Sequence, residues 1–186
     1  MFRKHNKNRA SSGHTHEQIA PLETELEHAQ KAARTVFGLV ANDQSSRLFA
    51  RAGYTVDFDK EHARATLTQR DSVSQWLTVG IGRNADGAWH VEVTQATPSL
   101  ETEAFGGTTV QSDIYPLVAD EPTAHGMTTY RSQRNGDLVS PDIHGMHIGE
   151  PLTAETAHSL SHELTQLAHI ASPRALAGRA LDNRNI

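Results

Sequence analysis

The chain has 186 residues, with 17 Lys and Arg against 22 Asp and Glu and a formal charge of −5 at pH 7, and that length suffices to bury a sizeable core. It contains no cysteine, which excludes disulfide frameworks, thiolate metal sites and cysteine nucleophiles; a cytoplasmic setting fits best. The longest apolar run, Val36 to Ala41, falls far short of the roughly 20 residues a membrane helix needs, so no membrane contact is expected.

Residues 1–16 carry Arg3, Lys4, Lys7 and Arg9 and no acid; this charge of +4 leaves −9 on the rest of a chain whose total is −5. With no apolar stretch after it, the segment reads as a disordered basic arm rather than a signal peptide. An acidic body repels a phosphate backbone, so a nucleic acid would have to be met through those four side chains of the arm.

From Ile19 the apolar residues step by three and four through Leu22, Leu26, Ala29, Ala33, Val36 and Val40, the stripe of an amphipathic helix. Pro21 suits its first turn, and Glu23, Glu25 and Glu27 favour the positive end of its dipole. A second, short helix is expected next, capped by Ser45 or Ser46 and closed by Gly53. The period then changes to two. Tyr54, Val56 and Phe58 alternate with polar residues, and so do Ala63, Ala65 and Leu67 after the turn at DKEH. Leu77, Val79 and Ile81 lead through the hairpin turn RNADG to Trp89, Val91 and Val93, which predicts a four-stranded antiparallel meander with one apolar face under the first helix.

Between Pro98 and Glu150, Gly, Pro, Thr and Asp recur too often for long elements. A second hairpin is expected around Asn135-Gly136, because that pair supplies the positive φ angles of a tight turn. Thr153 then caps the clearest helix of the chain, whose core face runs Ala157, Leu160, Leu164, Leu167, Ala168 and Ala171 before Ser172-Pro173 ends it. A last short helix follows over about 173–181. The fold class is therefore α+β: N-terminal helices packed on an antiparallel four-stranded meander, a second smaller β segment, and a C-terminal helix. The division is a basic arm over 1–16 and one α+β domain over 17–186, with core helices and meander at 19–95, the irregular β segment at 98–150 and closing helices at 153–181.

Gly80 to Ala85, GIGRNA, has the letters of a dinucleotide fingerprint, but that motif needs a helix after its strand and here a second strand is expected. Asp57, Asp59 and Glu61 begin like a calcium loop, yet His62 stands where that loop needs glycine. The twelve histidines raise the question of zinc. His144 and His147, then His158 and His162, give the spacing H-x2-H and H-x3-H, and four imidazoles can in principle hold the ion. Against this, His158, His162 and His169 point roughly 150° away from the leucine stripe of their helix, toward solvent.

The polar face of the meander offers another kind of site. It carries Arg64, Thr66, Thr78, His90 and Glu92, with Trp76 in the same phase, and an exposed tryptophan there can anchor a partner. Alternatively, the segment from Pro98 to Glu150 folds over that face and buries Trp76 in a second layer. The resulting expectation is a small non-catalytic protein-binding or adaptor protein without a cofactor, using Trp76, Arg64 and His90. Its size and basic tail suggest an accessory protein of a phage or mobile element. The competing expectations are a metal-dependent enzyme or zinc-stabilised module built on His144, His147, His158 and His162, and nucleic-acid binding through the arm.

Overall fold

The computed structural model describes residues 16–72, 75–98, 107–125, 129–132, 138–139 and 147–172. Helix α1 spans His16–Val40 and helix α2 Asp43–Arg51. Between Leu26 and Val40 every residue of the α1 stripe is buried, as the three-and-four spacing predicts. The cap of α2 is Asn42, not Ser45 or Ser46: its side-chain carbonyl accepts from the amides of Gln44 and Ser45, each at 3.1 Å. Asparagine satisfies the orphan amides of a first turn as well as serine does, so the helix starts at the earlier of the available caps. Gly53, at φ +93°, ends the turn after α2, where a β-carbon would be strained.

The expected meander is formed by β1 (Tyr54–Asp59), β2 (Arg64–Arg70), β3 (Trp76–Arg83) and β4 (Trp89–Pro98). The turn between β1 and β2 is held by Asp59, whose carboxylate accepts from the amides of Glu61 and His62 at 2.9 and 3.1 Å and from the His62 ring at 2.6 Å. Those bonds lower the Asp59 pKa, and they are the contacts of a turn rather than of a calcium loop.

The described strands of the second β segment join the same sheet rather than a separate one. Strands β5 (Gly107–Pro116), β6 (Pro122–His125) and β9 (His147–Pro151) continue the sheet in the order β1-β2-β3-β4-β5-β6-β9. Strand β5 divides its pairing: Asp113 and Ile114 meet β6, while Gly107 to Val110 meet β7 (Thr129–Ser132), which in turn pairs with β8 (Leu138–Val139). The expected hairpin around Asn135-Gly136 is thus present as a β7–β8 pair, with the turn itself outside the described residues. All these pairings are antiparallel.

Helix α3 (Ala154–Ile170) begins at Thr153, whose hydroxyl accepts from the Thr156 amide at 3.2 Å, and it packs along α1. One core joins the three helices to the inward phase of the sheet: Leu26, Val36, Phe49, Leu160 and Leu164 meet Ala65, Leu67, Ile81, Trp89 and Val91. Phe37 bridges the layers with edge-to-face contacts to Phe58 and Trp89, at centroid distances of 5.4 and 5.3 Å. Gln30 adds a polar tie, donating to the Leu117 carbonyl at 2.6 Å. No helix among the described residues is long and apolar enough to cross a membrane. The expected arm over 1–16 lies almost wholly outside the described residues, which begin at His16, as does the short helix expected over 173–181.

Candidate functional site

Because all three helices share one core with the inward residues, the opposite face of the sheet is left with the outward phase of every strand. Its registers align side chains in rows. Thr55, Thr68, Thr78, Thr94 and Ser112 lie side by side across five strands, and Asp57, Thr66, Gly80, Glu92 and Ile114 form the next row. A third row is Asp59, Arg64, Gly82, His90 and Pro116.

Hydrogen bonds run along and between these rows. Arg64 donates to Glu92 Oε2 at 2.5 Å, Ser112 donates to Glu92 Oε1 at 3.0 Å, and the Thr94 hydroxyl lies 2.8 Å from Ser112. Thr68 and Thr78 share a further bond of 3.0 Å. Arg64 is about half exposed and Glu92 a quarter exposed, so their ion pair is worth only about 0.2–1 kcal/mol to the fold. Two glycines make room for this arrangement. Arg64 and Glu92 reach over Gly80, and the His90 ring lies directly on Gly82, where a β-carbon would come within 2.6 Å of it. The letters GIGRNA therefore belong to a central strand followed by another strand, and the glycines serve cross-strand side chains rather than a pyrophosphate.

His90 is the electrostatically distinct member of the site. Burial first, and the Arg64 charge second, hold its pKa below the ordinary imidazole value, with Glu92 opposing. Its Nδ1 is buried without a hydrogen-bond partner. A base whose folded pKa is depressed takes up its proton first in the unfolded chain, so its contribution is present above the unfolded value of about 6.5 and is lost as pH falls through the folded pKa. We expect His90→Gln to reduce the loss of stability between pH 7.5 and pH 5, read as urea midpoints. An unchanged acid-side loss would show that His90 titrates as it does in the unfolded chain.

Of the three residues expected to bind a partner, Arg64 and His90 share one row, while Trp76 lies toward the other end of β3, opposite Arg70 and Ala96. Trp76 is partly buried, with the Arg70 guanidinium 6.0 Å from its ring centre. Thr94 and Ser112 complete the polar network; the alternation in β4 shows Thr94 on this face, but Ser112 joins it only through the β4–β5 register.

The histidine constellation is spread out. His158 and His162 are exposed on α3, as the helical wheel predicts. His158 lies 3.1 Å from Glu25 of α1, and His162 lies 3.4 Å from Gln166. His147 is exposed on β9 and pairs in register with His125, which is engaged by Asp113 at 2.6 Å. His144 falls outside the described residues. Among the described residues no three His, Cys, Asp or Glu side chains converge to hold a metal ion. The basic side chains Arg3, Lys4, Lys7 and Arg9 also fall outside them.

No family model matches this chain, and no curated protein or solved structure matches it.

Proposed function

We propose that this is a non-catalytic protein-binding or adaptor protein of the cytoplasm, and that it docks its partner on the sheet face turned away from the helices. The observation that carries the reading is the one-sided placement of α1, α2 and α3, which gives the other face a row of hydroxyls beside Arg64, Glu92 and His90. A network of side chains that adds little to stability, yet is ordered across three strands, suits recognition, because its donors and acceptors are already oriented when a partner arrives. Trp76 supplies an aromatic contact at one end, and the half-buried His90 ring lies at the other.

The test uses a charge swap. The double variant Arg64→Glu, Glu92→Arg keeps a cross-strand ion pair but reverses the pattern shown to a partner. A partner isolated from the native cell with the wild-type chain should bind the double variant at least tenfold more weakly, at an unchanged melting temperature, and should bind His162→Ala normally. Full binding by the double variant, or cross-links that map to the outer face of α3, would overturn the proposal.

A further inference from the structure

On the helix side of the sheet, between α1 and the β3–β4 hairpin, lies an open cleft of about 440 Å³. One wall is a ridge of α1, on which Gln30, Arg34 and Gly38 follow one another at steps of four. The other wall is the hairpin, with Arg83, Gly87 and Trp89. Arg34 is exposed, and among the described residues it has no hydrogen-bond or ion-pair partner. Arg83 is held from behind: its guanidinium lies 5.3 Å from the centre of the Trp89 ring, and its Nε donates to the Gly87 carbonyl at 3.4 Å. Among the described residues no carboxylate pairs with either arginine, although residues 17–186 together carry a net charge of −9. Gln30 is fixed in the wall by its bond to the Leu117 carbonyl.

Gly38 contributes room rather than a contact. A glycine inside a helix costs about 0.5–1 kcal/mol relative to alanine. A β-carbon at Gly38 would meet nothing within 4 Å. No contact among the described residues requires the glycine, and its missing side chain leaves open that stretch of the α1 wall of the cleft.

We infer that this cleft is a binding site for a small organic phosphate monoester, its dianion held between Arg34 and Arg83 and its organic part resting on Gly38. Two guanidinium forks match the two charges and three oxygens of a phosphate monoester, whereas a single carboxylate would leave one cation unpaired. A phosphate group fills only a part of the volume, so the remainder accommodates the esterified portion beside Phe37. The seat of Arg83 on Trp89 preorients its guanidinium and gives the site an optical reporter.

Phenyl phosphate, inorganic phosphate and benzoate serve as probes. They are titrated at low salt into the full chain carrying Trp76→Phe, so that Trp89 is the sole tryptophan. Phenyl phosphate should change the fluorescence saturably at one equivalent per chain and bind at least tenfold more tightly than benzoate or inorganic phosphate. Arg34→Gln and Arg83→Gln should each weaken it tenfold or more. Gly38→Leu should abolish binding while leaving the melting temperature unchanged or higher, which separates a filled cleft from a damaged fold. Absence of saturable binding in the parent, affinity unchanged in either arginine variant, or equal affinity for benzoate or inorganic phosphate would overturn the inference.

Discussion

Replacing Trp89 by alanine is expected to cost about 3–5 kcal/mol, as truncation of a large buried aromatic does, and to lower the melting temperature by roughly 6–20 °C for a chain of this size. The residue is only 6% exposed and sits where three elements meet. Its ring packs edge-to-face on Phe37 of α1 at an interplanar angle of 74°, and Arg83 covers it from the hairpin side. Its backbone carbonyl accepts from the Leu117 amide at 2.9 Å, which fixes the chain leaving β5. Alanine keeps that backbone bond and removes everything else, leaving a void that α1 cannot close without separating Phe37 from Phe58. Trp76→Ala is the companion measurement. It lies on the other face, half-buried, and should cost a minor fraction of the Trp89 value. A loss comparable to that of Trp89→Ala would mean that Trp76 is covered as a core residue is, and would remove it from the proposed docking surface.

The two tryptophans also mark how far the sequence can be read. Both are assigned to opposite faces by simple alternation, because the side-chain period of a strand is local and needs no knowledge of its neighbours. The same holds for the stripes of α1 and α3, where steps of three and four name every buried residue from Ala157 to Leu167 and all but Ala32 from Leu26 to Val40. What is not local is harder to see. Strand β5 pairs with β4 over nine residues and is then divided between β6 and β7 over two and four, and its polar sequence has no alternation from which that register could be read. Hence Ser112 is invisible as a partner of Glu92 until the β4–β5 pairing is known. The cleft is harder still, since Gln30, Arg34 and Gly38 stand about fifty residues from the hairpin and nothing in either segment points to the other. For the histidines the sequence did show orientation: outward-facing positions on α3 follow from the leucine stripe, and there His158 reaches Glu25 of α1.

Leu164→Ala tests whether α3 is an integral part of the core or an appended element. Leu164 is 1% exposed and belongs to the same buried cluster as Val36 of α1 and Leu67 and Ile81 of the sheet. Alanines line much of that interface, with Ala29, Ala33 and Ala157 fully buried, so the two helices already approach closely and have little freedom to settle further into a hole. The cavity is therefore expected to persist, and the cost to fall at about 3–5 kcal/mol, the upper part of the range for such truncations. Leu164→Met, which nearly conserves volume, should cost less than about 1.5 kcal/mol. Amide hydrogen exchange supplies the second readout. If α3 shares one cooperative unit with α1 and the central strands, exchange in Leu164→Ala accelerates in all of them by a common factor, which for about 4 kcal/mol is near a thousandfold. Acceleration confined to α3, with α1 and β2 to β4 still protected, would show that the closing helix detaches on its own and that the sheet and α1 hold together without it.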